Sequence, residues 1–164
     1  MRHVRTASPT GSSLVTDRLE TKPNGVGTNT VGEPFRCSLE VRWADSDRLG
    51  HVNNTKVVEY MQEARIKFLV SHLSGRGVVA VRKMDAEFLR PIKDASGPLD
   101  VEIAVLHVGT SSFTLRHTIL DRHGVVCAHG DAVLVGFDVH TDRSRPLSDL
   151  EREVLDRYRV AAPG

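Results

Sequence analysis

Between residue 77 and Ser148 the chain offers four strand-length runs in succession and almost nothing with a helical period. Val78 to Phe88 carries Ala80, Met84, Ala86 and Phe88 on one parity, and Leu99 to His107 carries Val101, Ile103 and Val105. Phe113 to Leu120 and Val125 to Phe137 follow, joined by Asp121-Arg122-His123-Gly124, a hairpin turn signal. Pro91 and the Ser96-Gly97-Pro98 turn part the first two runs. Strands joined by short turns pair antiparallel, so this half of the chain demands one antiparallel sheet and something to cover it.

The cover precedes it. Phe35, Cys37, Leu39, Val41 and Trp43 alternate with Arg36, Ser38, Glu40 and Arg42, which predicts a strand with one buried face over 35–43. The alternation stops at Ala44-Asp45-Ser46-Asp47, Gly50 permits a turn, and Asn53 or Asn54 can cap a helix. Beyond the cap, Val57, Met61, Ala64 and Phe68 form one apolar stripe, with Glu59, Gln62, Glu63 and Lys67 on the other side. Glu63 and Lys67 are a favourable i,i+4 pair, and Gly75 is a natural stop for a helix reaching about Leu73. Ile66 and Val70 fall off the stripe, as scattered surface apolars or as a subunit contact. Ser148 and Glu151 form a capping box that opens a short helix with Leu150, Val154, Leu155 and Tyr158. The order β-α-β-β-β-β predicts an α+β domain: an antiparallel five-stranded sheet wrapped around one long central helix, plus a short C-terminal helix.

The chain has 164 residues, enough for one domain with a full core. Residues 1–34 are rich in Ser, Thr, Gly and Pro without a hydrophobic period, which predicts a disordered tail ahead of a single domain over 35–160. With 22 basic against 21 acidic residues there is no global field to recruit nucleic acid or an anionic membrane. Most of the basic residues are Arg, so local phosphate recognition stays open. Cys37 and Cys127 sit far apart in strand patterns and read as buried free thiols of a reducing compartment. No run reaches the length of a membrane span, and the N-terminus lacks a signal-peptide core, so the expectation is a cytoplasmic, soluble protein.

The stretch from Val41 to Arg65 puts a carboxylate beside a helix N-terminus, a place suited to chemistry on a carbonyl. The sequence holds no His-Glu-x-x-His and no Gly-x-Ser-x-Gly, and Ser74-Gly75-Arg76-Gly77 reads as a helix stop rather than a phosphate loop.

Asp45-x-Asp47-x-x-Gly50-His51-Val52-Asn53-Asn54, followed by a helix with Glu59-Tyr60-x-x-Glu63-Ala64-Arg65 and Phe68, resembles the 4-hydroxybenzoyl-CoA thioesterase-like branch of the hotdog-fold acyl-CoA thioesterases. The resemblance covers roughly residues 35 to 150, with Phe88-Leu89-Arg90-Pro91 and Gly109-Thr110-Ser111-Ser112-Phe113 in support. It implies hydrolysis of a fatty or aromatic acyl-CoA thioester by a homodimer or dimer of dimers, with no cofactor beyond the coenzyme A of the substrate. Asp47 then matches the catalytic carboxylate, the helix-start amide near Asn54 the donor to the thioester carbonyl, and His51 a position that orients substrate or water.

Taken as bare residues, Asp45 and Asp47 are turn caps, His51 a hydrogen-bonded structural histidine, and Glu59 and Glu63 solvated helix charges. Asp45 is assigned a structural place, and the two glutamates are reserve carboxylates should Asp47 fail. The expected substrate contacts are an acyl tunnel lined by Val57, Tyr60, Met61 and Phe68, Arg90 for coenzyme A phosphates, and Ser111 and Ser112 as substrate contacts or plain strand polars. Two rivals stand beside this expectation: a hotdog hydratase or dehydratase, whose usual motif spaces its Asp and His one residue further apart, and a non-catalytic acyl-CoA-binding module.

Overall fold

A computed structural model describes residues 32–75 and 77–161. The expected tail, up to residue 31, lies outside the described residues. The elements run β1 (Phe35–Leu39), a 3-10 turn (Trp43–Asp45), α1 (Asn54–Leu73), β2 (Val78–Met84), β3 (Glu87–Phe88), β4 (Leu99–Val108), β5 (Ser112–Leu120), β6 (Val126–Asp138), β7 (Arg143–Ser144) and α2 (Asp149–Arg157). The sheet order is β1-β4-β5-β6-β2, antiparallel throughout, with the two-residue strands β3 and β7 also pairing with β6. The sheet curls around α1, which is the hotdog arrangement.

The helix is where the periodicity places it. Val57, Met61, Ala64 and Phe68 are buried, together with Tyr60 and Arg65, against an inner sheet face of Leu99, Val101, Ile103, Val105, Phe113, Leu115, Ile119 and Leu134. Glu63 and Lys67 meet at 3.7 Å on the outer face, an exposed pair that adds little to stability. Gly75 ends the helix at φ +73°, a conformation glycine adopts without steric cost. Ile66 and Val70 are exposed.

At α2 the capping box forms: the Ser148 Oγ accepts from the Glu151 amide at 3.2 Å, and Glu151 Oε2 accepts from the Ser148 amide at 2.7 Å. Arg145 completes a buried fork on Glu151 at 2.7 and 2.8 Å. A second buried polar pair joins helix to sheet, with Arg65 Nη1 3.3 Å from His117 Nε2 and the Gly130 carbonyl 3.2 Å from His117 Nδ1. Both cysteines are free thiols, Cys127 buried and Cys37 half-buried. No helix among the described residues is long and apolar enough to cross a membrane.

Two elements differ from expectation. The first strand stops at Leu39 instead of reaching Trp43, because its last partner is Leu99, where β4 begins just after the Gly97-Pro98 turn. With no neighbouring backbone to pair with, the chain tightens into the 3-10 turn and leaves Trp43 86% exposed. The strand expected over 78–88 is broken into β2 and β3. At the break Asp85 crosses close over β6: a Cβ on Gly130 would lie 2.2 Å from the Asp85 carbonyl oxygen, so only glycine permits the crossing.

Candidate active site

Residues 45–54 form a tight hairpin that hands the chain from the sheet to α1. At its base the Asn53 amide donates to the Asp45 carbonyl at 2.9 Å, and one step up Ser46 and Val52 form an antiparallel bridge. Toward the tip the Asp47 amide donates to the His51 carbonyl at 2.8 Å, and the Gly50 amide to the Asp47 carbonyl at 3.0 Å. Gly50, at φ +72°, supplies the left-handed residue this reversal needs. Two bonds tie the hairpin to the segment before β4: the Val52 amide to the Ile92 carbonyl at 2.8 Å, and Ser46 Oγ to Asp94 Oδ1 at 2.6 Å.

The two aspartates of the hairpin face opposite surroundings. Asp45 is 5% exposed and accepts from the Tyr60 hydroxyl at 2.6 Å and from the Arg42 amide and Nε, each at 3.2 Å. Burial pushes its carboxyl up, but the Tyr60 hydroxyl, the Arg42 amide and the Arg42 charge together hold it below the usual carboxylate range. Tyr60 is pushed the other way by burial and by the Asp45 charge, so the pair is a carboxylate and a neutral phenol. Asp47 is exposed at the tip. Its Oδ1 accepts from the Leu49 amide at 2.8 Å and the His51 amide at 3.2 Å, while its Oδ2 has no protein partner among the described residues. Turn cap and functional carboxylate are therefore not alternatives here: one oxygen holds the turn and the other is left over.

The helix start shows a similar remainder. An α-helix begins with amides that lack intrahelical acceptors and carry partial positive charge. The Asn53 amide goes to Asp45, the Thr55 amide to Asn53 Oδ1 at 2.9 Å, and the Lys56 and Val57 amides to the Asn53 carbonyl at 2.8 and 3.2 Å. Only the Asn54 amide in this series has no acceptor among the described residues.

The two residues that carry these remainders, Asp47 and Asn54, line one cleft of about 390 Å³. The hairpin and helix start contribute Asp47, His51, Asn53 and Asn54, Val52, Val57, Ile92 and Ala128 supply apolar surface, and Phe88 to Pro91 form a further lip. Arg90 stands exposed on that lip and makes no salt bridge among the described residues. An acyl group would meet apolar surface here and a phosphate an open guanidinium.

The structure thus brings together Asp47, His51, Asn54 and Arg90, and it places four other expected contacts outside the cleft. Tyr60 and Met61 are fully buried and do not line the cleft, and the Tyr60 hydroxyl is occupied by Asp45. Ser111 and Ser112 sit at the opposite end of the sheet: Ser112 is in register with Val135, seven residues along β6 from the cleft's Ala128. At about 3.3 Å per residue that is roughly 23 Å. Phe68 belongs to the far half of α1, so of the expected acyl tunnel only Val57 reaches the cleft. Ile92 and Ala128 carry no local sequence signal, because each is brought to the cleft by a separate segment.

A family model described as the thioesterase-like superfamily matches residues 41–157. Among solved structures, a thioesterase from Thermus thermophilus, complexed with coenzyme A and Zn, is 33% identical at a TM-score of 0.68, covering 76% of this chain and 98% of that one. A predicted thioesterase from Bacillus stearothermophilus is 28% identical at a TM-score of 0.70, covering 80% and 99%. The uncharacterised protein YsmA of Bacillus subtilis (strain 168) is 25% identical over 125 residues, which are 74% of this chain and 84% of that protein.

Proposed function

The chain belongs to the thioesterase-like superfamily and is a thioester hydrolase, and from that premise we propose that it cleaves acyl thioesters of coenzyme A, with Asp47 and the Asn54 amide carrying the reaction. One observation carries this reading: Asp47, whose Oδ2 has no partner among the described residues, and Asn54, whose amide has no acceptor among them, line the same cleft. A thioester carbonyl is already electrophilic and a thiolate leaves readily, so a base, a water and a donor for the developing oxyanion suffice.

Asp47 Oδ2 takes a proton from the attacking water as its oxygen bonds to the carbonyl carbon. The displaced electron pair moves onto the carbonyl oxygen, where the Asn54 amide holds it. Collapse breaks the carbon–sulfur bond, and the proton held on Asp47 passes to the departing thiolate, releasing coenzyme A and the free acid and restoring the carboxylate. In the other form of the same reading Asp47 attacks directly, and water then opens the acyl anhydride. Oxygen-18 entering the Asp47 side chain in a single turnover would exclude the pure general-base form.

His51 orients the water or the carbonyl, and Arg90 meets the coenzyme A phosphates. The acyl group lies on Val57, Ile92 and Ala128, not deeper along Tyr60 and Met61. Coenzyme A in the Thermus relative supports the choice of thiol carrier. The assembly is a homodimer through the β2–β3 edge. That edge has no further strand beside it among the described residues, and Val81, Phe88 and Leu89 are exposed along it, where a second copy would cover them and close the cleft. Two free thiols support a reducing, cytoplasmic setting.

Free-thiol release from short, long and aromatic acyl-CoAs tests the reaction. At least one should turn over, and Asp47→Asn should lower kcat by about a hundredfold or more with substrate still bound. Release from none of them by the wild type contradicts the proposal.

A further inference from the structure

We propose that the buried Asp45–Tyr60 pair is the positioning device of the site: it clamps the base of the 45–53 hairpin to α1 and thereby sets the Asp47 carboxylate against the Asn54 amide. The inference rests on the roles proposed above for those two groups.

The geometry makes Asp45 the hinge of both halves of the site. Its carboxylate reaches the Tyr60 hydroxyl on α1 at 2.6 Å, while its own carbonyl takes the Asn53 amide at 2.9 Å. The chain leaving Asp45 therefore returns to Asp45 eight residues later, and Asp47 and the helix cap both lie within that closed loop. Asp47 is two residues from one end of the loop, and Asn54 follows its other end. Tyr60 is rigid in its turn, with no exposed surface and a ring packed among the core residues of α1. A displacement of Asp45 shifts Asp47 through the covalent chain and the cap through the carbonyl bond.

An anchor that served stability alone would cost less as an apolar contact, since taking a carboxylate out of water is unfavourable. Here the carboxylate is retained, is satisfied by three donors, and is balanced by an Arg42 that continues to Glu63 on α1 at 3.4 Å. A short hydrogen bond to an ionised acceptor fixes direction as well as distance, which an apolar contact does not. The cleft needs that directionality, because displacing a reacting group by about 1 Å can cost on the order of a hundredfold in rate.

Tyr60→Phe removes the clamp's hydroxyl and leaves the ring packing. Its kcat should fall between about tenfold and about a hundredfold with KM nearly unchanged, because substrate binding uses the cleft walls and Arg90. In an Asp47→Asn background the same substitution should cost several-fold less, since much of what it positions is already gone. Asp45→Asn, which can still accept from Tyr60, should fall between wild type and Tyr60→Phe in kcat.

Amide hydrogen exchange supplies an arm that needs no substrate: Tyr60→Phe should speed exchange at residues 46–54 and leave the α1 interior protected. A fall in Tm with kcat intact, an equal kcat loss in both backgrounds, or unchanged exchange at 46–54 would each overturn the positioning role. A wild type without thiol release would count against the proposed reaction, while the exchange result would still decide whether the clamp orders the hairpin.

Discussion

The two ends of α1 are built from similar materials to opposite purposes. At the C-terminal end Phe68, His72, Phe35 and Tyr158 close on one another, with ring centroids 4.9 to 5.6 Å apart. Their polar groups are absorbed as well: His72 Nδ1 lies 3.0 Å from the Phe68 carbonyl and donates to it, which leaves Nε2 to accept from the Tyr158 hydroxyl at 2.6 Å. At the N-terminal end the hydrogen bonding is just as dense, yet among the described residues one Asp47 oxygen and the Asn54 amide are left without partners, and both residues line an open cleft. Chemistry is possible where packing has been left incomplete, and the rest of the helix supplies the stability that this end gives up.

Damage to the closed end should therefore cost stability and leave turnover alone. Phe68→Ala opens a fully buried site and should lower unfolding free energy by about 3–5 kcal/mol, measured by urea titration. Turnover per folded molecule should stay at the wild-type level, and a selective loss of kcat would break the contrast between the ends.

Between the two ends, the Arg65–His117 pair sharpens it. Burial and then the Arg65 cation push the His117 imidazole down from 6.5 to about 4, so it stays neutral in the folded protein. The unfolded chain binds the extra proton between about pH 6.5 and about 4, so this contribution is complete above pH 6.5 and is lost as pH falls toward 4. At ~1.4 kcal/mol per pH unit the full loss is about 3 kcal/mol. Asp45 and Glu151, held below their ordinary range, begin to weaken the fold as pH falls through their unfolded values of 3.8 and 4.5, so Glu151 adds to the loss only at the acid end of this window. Urea midpoints taken from pH 7 to pH 4 should fall across this window, and His117→Gln should flatten the fall.

The smallest expected effect is that of Tyr158→Phe, which removes one buried hydroxyl bond and should cost about 1 kcal/mol with no change in kcat. A larger loss would mean that the hydroxyl organises the ring cluster rather than completing it.

What the sequence disclosed was the local part of this arrangement. The stripe Val57-Met61-Ala64-Phe68, the Asn53-Asn54 cap, which falls at Asn53, and the Ser148–Glu151 box are patterns within one element, and each forms within the stretch that signals it. Trp43 misled because alternation continues past the point at which a partner strand exists, and pairing belongs to the sheet, not the run. The break at Asp85 depends on Gly130, 45 residues away, and Arg65 finds His117 at a separation of 52, so neither leaves a trace in a window of sequence. Asp47, His51 and Asn54 come to one cleft because a single continuous hairpin delivers them, which is why a run of sequence could place them together. Tyr60 and Met61 are fully buried outside the cleft, and helical periodicity signals burial without saying whether a buried side chain meets other residues or a ligand.

The central claim, that the amide left over at the start of α1 does the work, can be tested at a single bond. Asn54 is the first helical residue, where proline is best tolerated, and Asn53 at φ −61°, ψ 140° already has the extended conformation a following proline requires. Asn54→Pro thus deletes the amide hydrogen and keeps the helix start, whereas Asn54→Ala keeps the hydrogen and deletes only the side chain. The decisive measurement is kcat for acyl-CoA hydrolysis by these two variants, side by side. A loss of about 10²–10³ in Asn54→Pro, with Asn54→Ala near wild type, is the predicted result. Equal activity in the two variants would contradict the account and move the oxyanion donor elsewhere in the cleft.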